Sequence, residues 1–204
     1  AARLIHVSNI YQIAEQAALA DKVCEVSGMD KVFFCNSGCE ANEAAIKLAR
    51  LYGHNKGIEN PEIIVMEQSF HGRTLATLSA TGNYKVQAGF EPLVSGFIRV
   101  PYDDVEAVKH VAEHHPNIVA ILVEPVQGEG GINIPKEASA YLEALRKICD
   151  DHGWLLMPGG LPKSELAKHQ TETRWGRCAV LKDSAHGTPL TFGWDWCKDV
   201  QVAY

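Results

Sequence analysis

The sequence lacks any apolar run near the roughly 18–20 residues that would cross a bilayer, and no basic-then-apolar stretch opens it. Neither a membrane span nor a signal peptide is therefore expected. It also lacks an excess of positive charge: 19 Lys and Arg stand against 25 Asp and Glu, for a formal net charge of −6 and a pI of about 5.8. Nucleic acid and anionic membranes both call for a basic face, so neither is expected as a partner. Any anion site has to be local, built from backbone dipoles and a few cations. The six cysteines (24, 35, 39, 149, 178 and 197) show no Cys-x-x-Cys spacing and no His or Cys pair at zinc-finger distance. No metal and no disulfide framework are expected; free thiols in a reducing cytosol are. Internal repeats and low-complexity tracts are absent as well.

What remains is ordinary soluble composition: 204 residues, 46% apolar and 22% charged, enough for one sizeable domain. Strand-like and helix-like segments alternate. A helix is expected over 10–28, stopped by Gly28, then a strand at 31–35 and a helix over 38–52 with Gly53 as its C-cap. There follow a strand at 62–66, a short helix within 72–80 and a strand at 95–100. A helix runs from Asp103 or Asp104 to His115, the all-apolar strand Ile118 to Val123 comes next, and a helix at 137–151 leads to a strand at 154–157. Such alternation predicts an α/β fold with a mostly parallel sheet and helices on both faces, whose ligands sit beyond the carboxyl ends of the strands. After Met157 the alternation stops, and three of the four tryptophans (Trp175, Trp194, Trp196) lie in that aperiodic remainder.

The most informative stretch is Cys35-Asn36-Ser37-Gly38-Cys39-Glu40-Ala41-Asn42-Glu43. It reads as a strand end, a small-residue turn and a helix start, with Ser37 and Glu40 at capping-box spacing. A helix N-terminus exposes unpaired N–H groups and a partial positive charge, so it can hold an anion, and Gly38 lets the anion approach. Ser37 could equally do no more than cap the helix. Two further loops are placed nearby by the expected topology. Ser69-Phe70-His71-Gly72-Arg73-Thr74 offers a flat ring, an imidazole and a fixed cation. Glu124-Pro125-Val126-Gln127-Gly128-Glu129-Gly130-Gly131 offers two carboxylates and an amide on a glycine-rich loop. Singly, Phe70 could be core, Arg73 a surface charge and the glycines mere turns; all three at the ends of consecutive parallel strands is the more specific pattern. Cys39, a thiol in the first turn of a helix, could also act as a nucleophile paired with a histidine such as His71.

These three segments, running Phe33 to Lys47, Phe70 to Thr74 and Glu124 to Gly131, resemble the class III pyridoxal-phosphate-dependent aminotransferases, and within them the acetylornithine branch, which His6-Val7-Ser8-Asn9 also resembles. The resemblance runs from about residue 3 to Met157 and implies the large domain of fold-type I, in part. It implies transamination of N-acetylornithine with 2-oxoglutarate in the cytoplasm, with pyridoxal 5'-phosphate as cofactor and a homodimer as the family's assembly. Ser37, Gly38 and Cys39 would hold the cofactor phosphate, Cys39 standing where the family usually has alanine. Phe70 would stack on the pyridine ring, beside His71. Arg73 would grip a substrate carboxylate through a bidentate pair that lysine could not copy. Glu124 and Glu129 would shape the substrate side, with Gln127 on the same wall.

The resemblance also implies two groups that this sequence does not supply. The family's aspartate for the pyridinium nitrogen follows the strand ending near Met157, where this chain reads Pro158-Gly159-Gly160; the lysine that binds the cofactor covalently belongs to a later segment with no counterpart here. Lys163, Lys168, Lys182 and Lys198 do not match its motif. A frame change or a chimeric join near residue 158 is one account of the abrupt loss, and a diverged tail is the other. Residues 158–204 are accordingly expected not to pack as part of the fold, and a fragment keeping only the phosphate cradle is the alternative to an active enzyme.

Overall fold

The structure, a computed structural model, describes residues 7, 10–27, 29–129, 131–159 and 178–181. Its centre is a parallel sheet of four strands: β2 (Glu62–Met66), β3 (Phe97–Val100), β4 (Ile118–Val123) and β5 (Leu155–Pro158), in the order β3-β2-β4-β5. Every residue of β4 is buried, as a strand covered on both faces requires. Two apolar clusters form, one on each face. Ile64, Met66, Val100, Ile121 and Val123 meet α5 (Val105–His114) and α6 (Ala138–His152) through Val108, Val111, Tyr141, Leu145 and Ile148. On the other face Ile63, Val65, Leu122 and Met157 meet α2 (Gly38–Asn55) through Ala45, Ile46 and Ala49. The register between β2 and β4 shifts after Glu62, which pairs with Ile118 while Ile63 pairs with Ala120. That irregularity lets two successive residues, Val119 and Ala120, both join the α2 face, whereas strict alternation would have separated them.

The strand at Lys31–Phe34, β1, is where expectation and structure part. It lies outside the parallel sheet and pairs antiparallel with β6 (Cys178–Leu181), Lys31 opposite Leu181 and Phe34 opposite Cys178. The turn at 36–40 therefore does not sit at the end of a strand consecutive with β2 and β4. Its apolar run reads the same in either sheet, because local pattern carries no pairing information. α1 (Ala14–Ser27) covers β1 through Ala20, with Val23 and Phe34 against Val32. Of the stretch 158–204, Pro158 closes β5 and residues 178–181 form β6; 160–177 and 182–204 lie outside the described residues, and so does the expected helix stop Gly28. Among the described residues no helix is long and apolar enough to cross a membrane.

α2 also corrects the expected stop at Gly53. The helix runs on to Asn55 and ends in a Schellman motif, with Gly57 in the left-handed region at φ 80, Gly57 N–H donating to His54 O (2.9 Å) and Ile58 N–H to Gly53 O (3.0 Å). Gly53 serves packing instead. A Cβ there would stand 2.7 Å from Pro61 Cβ and 2.8 Å from Val119 Cγ1, so α2 crosses the sheet at a distance only glycine permits. Gly53→Ala is expected to destabilise the chain by about 1–2 kcal/mol, overpacking outweighing the gain in helix propensity. Urea unfolding monitored by circular dichroism checks this.

Candidate functional site

The site grows from the N-terminus of α2. Ser37 is the N-cap, its Oγ accepting from Glu40 N–H at 3.2 Å as expected, while the Glu40 carboxylate reaches one residue further back than a capping box requires and accepts Asn36 N–H at 2.5 Å. Ser37 Oγ still has its proton to donate. The first intrahelical bond to Ser37 O comes from Ala41 N–H, which leaves the N–H groups of Gly38 and Cys39 without an acceptor within the helix.

The loop after β2 is fastened to this turn from several sides. Asn42 Nδ2 donates to His71 O (2.7 Å) and His71 N–H donates to Thr81 Oγ1 (3.0 Å). Glu43 accepts from the Thr74 hydroxyl and from Thr77 N–H (3.3 Å), and the two threonine hydroxyls lie 2.8 Å apart. Cys39 Sγ reaches both, at 3.4 Å each. The short helix α3 (Leu75–Ala80) that follows is held at its C-terminal end: Arg99 Nη2 donates to Ser79 O and Thr81 O, and Gln87 Nε2, on the single turn α4 (Tyr84–Gln87), donates to Leu78 O and Thr81 O. These bonds satisfy carbonyls that a helix end leaves open.

The loop after β4 completes the group. Glu124 Oε2 accepts Phe70 N–H at 2.9 Å, and Gln127 Nε2 donates to Glu67 O at 2.8 Å. Gln127, placed by expectation on a polar wall, is buried and spent on this tie and on its bridge to Asn133. The Arg73 guanidinium stands over the Phe70 ring, 5.4 Å from its centroid, with Phe70 half-buried and Arg73 exposed. Glu129 is exposed, near enough to Glu124 to act on its charge. The three loops thus do converge, although one of them arrives on α2 rather than on a neighbouring strand.

Electrostatics separates the groups. Burial pushes the Glu124 carboxyl up to about 7, with Phe70 N–H pulling it down and Glu129 adding to the rise. Burial and the nearby Arg99 charge push the His71 imidazole down to about 3, so it is neutral; it is 2% exposed, and both ring nitrogens are without a hydrogen-bond partner among the described residues. His71 acts on the loop through its main chain. For Cys39, burial raises the thiol, but hydrogen bonds from the Thr74 and Thr77 hydroxyls and from the Thr74 and Arg73 N–H groups outweigh it, and the balance lies below the ordinary thiol value. The alternative Cys39–His71 pairing is not made: the thiol is engaged by threonines, and the imidazole has no hydrogen-bond partner among the described residues.

A phosphorylated cofactor can be tested against this donor set. Two helix N–H groups, a free hydroxyl proton and an aromatic ring across from a buried acid fit a phosphate and a flat ring. Gly159, whose N–H donates to Val123 O (2.7 Å), lies in the stretch Pro158-Gly159-Gly160 where the resemblance implies an acid for the ring nitrogen. A Cβ at Gly159 would meet only Asn42 Oδ1 at 3.6 Å and Leu122 Cδ1 at 3.9 Å, so there is room for a side chain and none is present. Asn42, Glu43, Thr77 and Arg99 were not marked by sequence reasoning as builders of this site. Asn42 and Glu43 stood within the motif without a role, and nothing local signals their partners.

The chain matches the family model described as aminotransferase class-III over residues 1–158. An acetylornithine aminotransferase of Nitrosomonas europaea is 67% identical over 154 residues, covering 76% of this chain and 39% of that protein. Acetylornithine aminotransferase 1 of Bordetella pertussis is 55% identical over 157 residues, 77% of this chain and 39% of that protein. Among solved structures, the ornithine aminotransferase of Toxoplasma gondii matches with a TM-score of 0.69 at 32% identity, over 74% of this chain and 36% of that one. A second structure of that enzyme is described as showing partial occupancy of PLP at its active site. The acetylornithine aminotransferase of Elizabethkingia anophelis matches with a TM-score of 0.61 at 32% identity, over 76% of this chain and 34% of that one. The chain spans about two fifths of the length of the curated relatives it matches.

Proposed function

This chain belongs to the class-III aminotransferase family, and from that premise we propose that its matching residues, 1–157, are part of the pyridoxal 5'-phosphate-binding large domain of an enzyme that transfers an amino group from N-acetylornithine to 2-oxoglutarate, in the cytoplasm and as a homodimer. The observation that carries the cofactor half of this reading is the convergence of the α2 N-terminus, Phe70 and Glu124 on one another. The names and identities of the two bacterial relatives support the substrate half.

When bound, the cofactor supplies a conjugated ring that stores the electrons released from the amino acid's α-carbon. This chain's own residues bind and orient. The N–H groups of Gly38 and Cys39 and the Ser37 hydroxyl would receive the phosphate, where the helix dipole favours negative charge. Phe70 offers the ring its face, held by Glu124 and flanked by His71. Arg73 would receive a substrate carboxylate by a forked pair of hydrogen bonds, and Glu129, close enough to Glu124 to act on its charge, would help shape the substrate side.

Gly159 favours a second statement about the molecule as it stands. Pro158-Gly159-Gly160 offers no acid where the family resemblance implies the aspartate, and the alternative it supports is a catalytically inactive fragment that keeps the phosphate cradle. Residues 158–204 belong, on this reading, to a non-matching stretch beyond the family domain. Titration of the purified chain with pyridoxal phosphate, followed by quenching of intrinsic fluorescence, is expected to show reversible binding that inorganic phosphate competes away, weaker for pyridoxal. Ser37→Ala should raise Kd about tenfold to a hundredfold, the value of one hydrogen bond to a charged oxygen. Equal affinity for pyridoxal and its phosphate would remove the cradle reading.

A further inference from the structure

Two ties join the loop after β4 to the loop after β2, and they differ in kind. Gln127 Nε2 to Glu67 O is neutral at every pH; Glu124 Oε2 to Phe70 N–H involves an acid that is 5% exposed. We propose that Glu124 is a positioning residue for Phe70, its carboxylate gripping the Phe70 N–H when ionised and relaxing that grip when protonated, so that charge on Glu124 sets where the ring-bearing loop stands. The inference rests on the reading of Phe70 as the residue that faces the cofactor ring.

Geometry carries it. Glu124 directly follows β4, whose residues are all buried between the two faces of the sheet, while Phe70 sits four residues beyond the last residue of β2. A carboxylate accepting an N–H makes a bond roughly twice as strong as a neutral one does, so losing the charge halves the grip without breaking the contact. The groups around it set when that happens. Glu129 from its own loop disfavours the charge; Tyr102, beyond β3, donates its hydroxyl to Pro125 O at 2.9 Å and has Asp103 beside it; on the loop after β2, His71 is neutral and Arg73 stands over the Phe70 ring. The resulting midpoint of about 7 places the change within the working range of a cell.

The test follows the Phe70 amide in the ¹⁵N-labelled chain between about pH 5 and 9. The parent is expected to show the amide proton moving downfield as pH rises, with a midpoint near 7. Glu124→Gln should abolish this titration and Glu129→Gln should lower its midpoint; the latter, at an exposed position, keeps the test open should the former fold poorly. A second arm measures pyridoxal phosphate affinity at pH 6 and pH 8 in parent and Glu124→Gln; the cofactor's own titration is common to both, and the parent alone should gain an additional change of about threefold or more. A Phe70 amide that does not titrate, or titrates alike in parent and Glu124→Gln, overturns the proposal. A chain that shows the amide titration but binds no pyridoxal phosphate retains the positioning role and loses the cofactor reading.

Discussion

Replacing Gly72 by alanine is expected to cost the chain about 3–5 kcal/mol and to pull the ring-bearing loop off α2, the sum of backbone strain and overpacking. Gly72 has φ 142, outside the range an L side chain adopts readily. Its absent Cβ would stand 2.5 Å from Thr77 Oγ1, 2.6 Å from Cys39 Sγ and 2.9 Å from Thr77 Cβ. Neither neighbour can retreat cheaply. Thr77 is fully buried and its hydroxyl is committed to Thr74 and Cys39, while Cys39 rides on the first turn of α2. Urea unfolding reads the loss, and amide spectra of residues 70–77 read the displacement. Gly128→Ala serves as control, since a Cβ there meets nothing within 4 Å. Adding Cys39→Ala to Gly72→Ala should recover part of the loss by removing one of the three clashing atoms, a coupling of about 1 kcal/mol or more. A Gly72→Ala midpoint within the error of the Gly128→Ala one would show that the loop and helix are not packed as described.

The second large effect is an acid limb set by His71 and partly masked by Glu124. His71 falls from 6.5 in the unfolded chain to about 3 in the fold, so the unfolded state binds the proton across that interval and stability is lost as pH drops through it, up to about 5 kcal/mol in all. Glu124 has the opposite sign. Its pKa rises from 4.5 to about 7, so the native state binds the proton, and the contribution is complete below 4.5 and lost as pH climbs through 7, about 3 kcal/mol in all. Between 4.5 and 6.5 the two slopes oppose and nearly cancel; below 4.5 only His71 remains. Stability plotted against pH should therefore show a plateau and then a steep fall. Glu124→Gln should abolish the plateau, so that the loss begins near pH 6.5. His71→Leu should remove this limb and add about 1–3 kcal/mol at neutral pH, because an imidazole with two buried, unpartnered nitrogens is a desolvation cost without return. A His71→Leu profile that falls as steeply as the parent's would mean that His71 is hydrogen-bonded in solution.

Much of this molecule was readable along the chain. The Ser37 cap of α2, the Asp104 cap of α5 and the unbroken apolar run of β4 each follow from residues close together in sequence, and local chemistry decides them. The convergence of the three loops was also legible, through their order on an α/β alternation and their resemblance to a known family. What local chemistry leaves open, the tertiary structure decided. Lys31–Phe34 has the pattern of a buried strand and no record of which sheet it joins, so its antiparallel pairing with Cys178–Leu181 could not be foreseen. Gly53 reads as the helix stop from sequence, but Pro61 and Val119 press against it, and it is Gly57 that turns the chain. The tie of Glu124 to Phe70 spans 54 positions and that of Gln127 to Glu67 spans 60, and the isolation of the His71 ring depends on everything packed around it. Periodicity, caps and turn residues are set by neighbours in sequence; sheet partners, buried charge and the space left for a side chain are set by neighbours in space, which only the folded chain brings together.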